Sequence, residues 1–138
     1  LEVVAVNWTQ NLHTLALLDL DPTGQGTGEQ QPMTPADAAN AMRLMWTKLS
    51  DAESADGPSA DTVERSKHAM IQQFLDRAID DVRVVLCSDM GTPDQAMVTT
   101  TMGELGQEKG GRLNCLVFPA GTGEIEEKAL ARWERGAR

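Results

Sequence analysis

The sequence predicts an α/β domain: a mixed, mainly buried sheet of about four to five strands with helices on both faces. Three observations predict it. Runs of apolar and β-branched residues at 12–20, 82–88 and 113–118 lack the polar alternate row of a strand with one wet face. Between the first two lie segments whose apolar residues recur at three- and four-residue spacing, as helices require. A chain of 138 residues, 41% hydrophobic and 24% charged, is the size of one ordinary domain and can bury a core, so a single domain over 1–138 is expected.

The run Leu12-His13-Thr14-Leu15-Ala16-Leu17-Leu18-Asp19-Leu20 reads as the central buried strand, ended by Asp21-Pro22-Thr23-Gly24. Asp19 lies at its carboxyl end, where ligands of open α/β sheets tend to sit. Residues 1–11 form a lead-in or short helix. Residues 21–31 hold three glycines and no apolar anchor, the composition of a flexible loop. Neither a G-x-G-x-x-G spacing nor a following lysine makes them a phosphate cradle.

Thr34-Pro35-Ala36-Asp37 is a helix start, with a hydroxyl at the N-cap, proline at the first position and an acid in the first turn. That helix is predicted to run to about Ser50, with Ala38, Met42, Met45 and Leu49 in its apolar stripe, joined by Ala41 and Trp46. Residues 51–60 read as a flexible, solvated linker. Asp61 and Glu64 resemble a capping box, and Val63, Met70, Phe74 and Ile79 extend a second stripe to about Asp80, with His68 on the outer face. Strands follow at 82–88 and 96–101, a possible hairpin, then a brief helical turn at 102–106 and a strand at 113–118. A helix over 124–134 closes the chain, with acids in its first turn and arginines near its end.

The formal charge of −9, from 21 acidic and 12 basic side chains, excludes the basic footprint of a nucleic-acid binder. No stretch approaches the roughly 20 apolar residues of a bilayer span and no signal-peptide core opens the chain, so the expected address is cytoplasmic, with no membrane partner. Cys87 and Cys115 fall inside predicted strands, where buried free thiols are common; a structural bridge is not expected, nor is a metal site. The chain begins at Leu1 without a methionine, which fits either a piece of something longer or a processed terminus.

Conventional catalytic constellations are missing: no G-x-S-x-G elbow, P-loop or H-E-x-x-H occurs. His13, within an apolar run, is expected to be a packed histidine with satisfied nitrogens. Neither cysteine has a sequence neighbour that would activate it as a nucleophile. What stands out is that three strands end in Asp19, in Asp89-Met90-Gly91 and in Phe118-Pro119-Ala120-Gly121. In a mainly parallel sheet these tips would line one crevice suited to a small ligand.

A family resemblance adds to this. Leu12-His13-Thr14-Leu15 with Leu17-Leu18-Asp19, then Pro32-Met33-Thr34 opening an Ala-rich helix, resembles the start of the carboxy-terminal half of diphthine synthase. Val85 to Gly91 followed by Asp94-Gln95 is similar to that family's strand and Gly-Asp-Asp-Gln-type turn. Thr100-Thr101-Met102-Gly103-Glu104-Leu105 resembles its Gly-Thr-Leu-x-x-Leu segment, and Gly110 to Pro119 its Gly-x-Pro-Leu-His-Ser-Leu-Val-Ile-Pro run. The match follows the family order over nearly the whole chain.

The resemblance implies the carboxy-terminal domain of a tetrapyrrole-methylase fold and an S-adenosyl-L-methionine-dependent methyltransferase of diphthamide biosynthesis. Its protein substrate would be the modified histidine of translation elongation factor 2, its state a homodimer and its product S-adenosyl-L-homocysteine. Leu18, Met90 and Asn114 are the positions it implies for contact with the methyl donor, with no catalytic residue on this chain. Asn114 stands where the family usually has histidine; an amide can still hydrogen-bond but cannot titrate near neutrality. Residues 51–80 look longer than the family's connection. The family's amino-terminal methylase domain is absent from this chain, so the chain by itself is expected to lack half the cofactor site and to be inactive. Methyl transfer needs mainly alignment in a dry cleft, which suits a chain without an acid–base pair. A non-catalytic dimerisation or binding module of the same fold, and a methylase acting on a tetrapyrrole, are the alternatives.

Overall fold

The strands and helices form where the local chemistry favours them, and a computed structural model describes residues 1–18, 32–55, 57 and 61–135. In chain order the elements are α1 (Glu2–Thr9), β1 (Thr14–Leu17), α2 (Pro35–Ala55), α3 (Thr62–Leu75), β2 (Arg83–Ser88), β3 (Ala96–Thr101), β4 (Asn114–Phe118) and α4 (Glu124–Arg132). Single 3₁₀ turns occupy Ile79–Asp81 and Leu105–Gln107.

Helix α2 begins with a reciprocal cap: the Asp37 N–H donates to Thr34 Oγ1 at 3.1 Å, and the Thr34 N–H and hydroxyl donate to the Asp37 carboxylate. It continues through residues 51–55, predicted as linker, because Ala52, Glu53 and Ala55 all tolerate a helix. Helix α3 is capped by Asp61, whose carboxylate accepts from the Val63 N–H at 2.8 Å. Its buried face is Ile71 and Phe74, whereas Val63 is 74% exposed and drops out of the predicted stripe. Similarly Ala38, Ala39 and Met42 face inward from α2, and Met45 turns outward.

The four strands form one sheet in the order β1-β4-β2-β3, and every neighbouring pair is antiparallel. The α/β composition is as predicted. The sheet direction is not: the described strands are antiparallel throughout instead of mixed. Residues 89–95 turn β2 straight back into β3, and residues 102–113 contain only a 3₁₀ turn, with no helix to carry a crossover back over the sheet.

The expected centre is also displaced. β1 is an edge strand, and Leu15 and Leu17 are 60% and 78% exposed, while Ala16 between them packs on the core. A run of leucines looks like a strand buried on both faces, but sheet order decides which faces are covered. The interior strands are β2 and β4; in β2 every residue after Arg83 is buried.

Pairing partners share a face, so Thr14, Ala16, Asn114, Leu116, Phe118, Val84, Leu86, Ser88, Val98 and Thr100 point one way. Helices α1, α2 and α3 cover that side and bury Val4, Ala38, Met42, Ile71 and Phe74 against it. Phe74 is the keystone, 1% exposed, with Trp46 of α2 tilted against it at 5.2 Å and Trp8 of α1 edge-on at 5.7 Å. Arg77 stacks over Trp8 at 4.6 Å. The opposite side carries Leu15, Leu17, Cys115, Val117, Val85, Cys87 and Thr99, and α4 reaches it through Arg83–Glu127 and a Thr99 hydroxyl bond to the Leu130 carbonyl. The Thr99 N–H also donates to the Trp133 carbonyl, which shields the outer edge of β3.

Truncating Phe74 to alanine opens a cavity among three helices and should cost about 3–5 kcal/mol in urea unfolding. Val63→Ala, on the same helix but facing water, should change stability by less than about 0.5 kcal/mol.

Candidate functional site

Antiparallel order puts the carboxyl ends of β1 and β2 beside the amino end of β4, and this end of the sheet gathers Leu18, Met90 and Asn114. The Leu18 N–H donates to the Asn114 carbonyl at 3.3 Å, extending the β1–β4 ladder by one residue. Leu18 is half-buried against the core and Met90 is 49% exposed, so both offer apolar surface. The third predicted tip, Phe118 to Gly121, lies at the other end of the sheet, because β4 runs against β1 and β2. Two strand ends converge, not three. Asp19 lies outside the described residues, as do residues 21–31.

Asn114 is 8% exposed and every polar position of its carboxamide is used. Oδ1 accepts from the Ser88 hydroxyl at 2.9 Å and the Gly111 N–H at 2.8 Å; Nδ2 donates to the Gly111 carbonyl at 3.1 Å and the Met33 carbonyl at 3.3 Å. An amide offers two donors and two acceptor sites, so none is left over. Asn114 thereby ties β4 to β2, to its own preceding turn and to the segment entering α2.

Beside it, Asp89 closes the same turn. Its carboxylate accepts from the N–H groups of Arg112 and Leu113 at 3.1 and 2.8 Å, and its own N–H donates to the Leu113 carbonyl at 2.8 Å. Asp89 holds φ at +49°, a conformation that short polar side chains tolerate better than most. Two glycines are required opposite. Gly110 has φ +63°, and a Cβ there would stand 2.7 Å from Pro35; a Cβ on Gly111 would collide with the Asp89 carboxylate. Asp89 belongs to a strand tip that the sequence placed at the crevice, whereas Ser88 and this glycine pair were not expected to form the site. The Gly-Gly step before a buried strand was the available signal.

A cleft of about 690 Å³ lies elsewhere, where the amino end of α1 meets α3 and the second half of α2. It is strongly charged. Lys67 pairs with Glu2, and this pairing holds the Lys67 ammonium above its ordinary value. His68, expected on the outer face of its helix, keeps a side chain 43% exposed and pairs with Glu53, whose side chain is only 11% exposed. No group of three or more potential metal ligands comes together among the described residues.

At the far end of the sheet, His13 is exposed but bound at both nitrogens. The Ala120 N–H donates to Nδ1 at 2.9 Å, which requires that nitrogen unprotonated and leaves the Nε2 proton for Glu126 at 3.1 Å. Its nitrogens are satisfied as predicted, while the packing is at the surface. Bonds from the Gly123 N–H and then from His13 hold the Glu126 carboxyl below its ordinary value. The Thr122 hydroxyl and then Arg83 do the same for Glu127.

These features belong to a fold seen elsewhere. No protein-family model and no curated protein matches the chain in sequence. Among solved structures it resembles a provisionally assigned diphthine synthase from Entamoeba histolytica, with a TM-score of 0.63 and 22% identity. That match covers 96% of this chain and 43% of the other. It also resembles a conserved hypothetical protein from Aeropyrum pernix K1, with a TM-score of 0.64 and 18% identity over 98% of this chain and 39% of that one. The chain therefore shares its fold with part of each of these two proteins and spans about two fifths of their length.

Asn114→Ala leaves buried donors and acceptors unpaired and should cost about 1–3 kcal/mol in chemical denaturation, with Gly111→Ala in the same range. A change below about 0.5 kcal/mol for either would contradict the network. The carboxyls of Glu126 and Glu127 are lowered in the folded chain, so their contribution is present above the ordinary carboxylate value and is lost as pH falls through the lowered values. In urea midpoints measured from neutral to acid pH, Glu126→Gln should flatten the acid-side decline and leave its direction unchanged.

Proposed function

We propose that this chain is the carboxy-terminal wall of an S-adenosyl-L-methionine-dependent methyltransferase of the diphthine synthase type, acting on the modified histidine of translation elongation factor 2. The observation that carries the reading is the meeting of Leu18, Met90 and Asn114 at one end of the sheet, with a diphthine synthase-like fold around them. S-adenosyl-L-methionine would supply an electrophilic methyl on sulfur. The residues of this chain fit one apolar side of that ligand: Leu18 and Met90 present hydrocarbon and thioether surface suited to excluding water. Asn114 fits a supporting role, since its amide is fully engaged within the chain; it sets where Leu18 and the Asp89–Met90 turn stand. Polar recognition of the ligand would then come from the amino-terminal methylase half of such an enzyme. Homodimerisation and a cytoplasmic address accompany this reading. Among the described residues no helix is long and apolar enough to cross a membrane.

Calorimetric titration of S-adenosyl-L-homocysteine tests it. The chain by itself should bind weakly or not at all, and should acquire binding when fused behind the amino-terminal half of the Entamoeba protein. Leu18→Ala should then weaken binding about tenfold, the loss of a buried leucine contact. Tight binding to the chain by itself would mean that it holds a complete site; no binding by the fusion, with the fold intact by circular dichroism, would favour a non-catalytic binding module. Transfer of labelled methyl to a porphyrin precursor in preference to elongation factor 2 carrying the unmethylated intermediate would favour the tetrapyrrole alternative.

A further inference from the structure

We propose that Cys87 and Cys115 form a redox-active cross-strand dithiol, which closes to a disulfide by exchange with a small-molecule disulfide such as oxidised glutathione. Both are free thiols and they are direct partners in the β2–β4 ladder. Their side chains therefore project from the same, helix-poor side of the sheet, flanked by Val85, Met97, Leu17 and Val117. Two residues along the same register, the Asp89 N–H donates to the Leu113 carbonyl. Hydrogen-bonded and non-hydrogen-bonded pairs alternate in an antiparallel ladder, so the cysteines occupy a hydrogen-bonded pair with Cα atoms about 5.5 Å apart. That spacing lies inside the range of about 4.4–6.8 Å that disulfides span. Directly opposed Cβ atoms stand about 4.5–5.5 Å apart, against about 3.5–4.5 Å in disulfides. Closing the bond needs an approach on the order of an ångström, and a bond formed that way is strained and readily reduced. This is the geometry of a reversible link, not of a permanent staple.

The two thiols are unequal, which assigns the order of steps. Cys87 is 8% exposed, and burial, followed by its contact with Cys115, pushes its thiol up to about 11. Relative to an unperturbed thiol at 9.0, it holds about a hundredfold less thiolate near neutral pH. Cys115 is half-buried and beside the exposed Leu17, so it is the thiol that a solute reaches first. The Cys115 thiolate attacks one sulfur of glutathione disulfide; an S–S bond breaks, one glutathione thiolate leaves, and a mixed disulfide remains. The Cys87 sulfur, losing its proton, then attacks the Cys115 sulfur and expels the second glutathione. Two electrons pass from the dithiol to the disulfide reagent, and the two cysteine protons end on the two released glutathione molecules. The link sits between β2 and β4, one residue from both Ser88 and Asn114, and so clamps the sheet end that the Asn114 network organises.

The test is to hold the folded chain in glutathione buffers of increasing oxidised fraction, block remaining thiols by alkylation, and map peptides without reduction. An intramolecular Cys87–Cys115 link that returns to two thiols on adding reduced glutathione is expected. Cys87→Ser should instead accumulate the glutathione adduct at Cys115, and Cys115→Ser should acquire an adduct at Cys87 at least tenfold more slowly. Retention of both thiols in excess oxidised glutathione, stable adducts on both cysteines of the unaltered chain, or links only between two chains would each overturn the proposal. Faster modification of Cys87 in Cys115→Ser than of Cys115 in Cys87→Ser would overturn the assigned order.

Discussion

The carboxamide of Asn114 is the junction on which one end of this molecule depends. Four separate segments meet at it: the end of β2 through Ser88, the glycine turn through Gly111, the approach to α2 through Met33, and β4 itself. A buried amide left unpaired costs more than a made hydrogen bond returns, so such a network is stable only when complete. Completeness here needs two glycines, because a Cβ at Gly110 or Gly111 would occupy space taken by Pro35 or Asp89. The turn, the two strand ends and the start of the longest helix are thus fixed together, and the apolar surfaces of Leu18 and Met90 are positioned by consequence.

The rest of the fold is governed by a sheet with unequal sides. One side is covered by three helices that converge on Phe74, and hydrophobic burial there supplies the main driving force. The other side is covered in part by α4, held through charged and polar contacts at Arg83, Thr99 and His13. Leu15 and Leu17 stay exposed on that side, and the cysteine pair lies among them. Exposed apolar surface of this kind is suited to contact with another protein surface.

The acidic balance bears on the proposed role through the ligands it favours. A charge of −9 disfavours phosphate-rich ligands, whereas a small sulfonium donor and a protein acceptor are compatible with it. Most of the described ion pairs are at the surface, so they tune helix ends and pH response more than overall stability.

Local chemistry made much of this legible in the sequence. The Thr34–Asp37 cap, the Asp61 cap, the apolar strands 83–88 and 114–118 and the terminal helix follow from residue type and spacing within a few positions, where short-range hydrogen bonding decides. The order of elements and the α/β composition followed with them. Strand order did not, because an apolar run reads alike in an edge strand and a central one; only pairing placed β1 outside, exposed Leu17, and turned the Phe118–Gly121 tip away from the other two. The same holds for side chains whose partners are distant in sequence. Nothing near His68 pointed to Glu53, nothing near Cys87 to Cys115, and nothing near Asn114 to Ser88 and Met33, since those contacts exist only after the sheet and the α2–α3 pair have formed. The sequence by itself determined which segments become helix and strand, because caps and periodicity act over a turn or two. Tertiary structure decided which faces are covered and which polar groups are satisfied, because burial and long-range pairing depend on the whole chain at once.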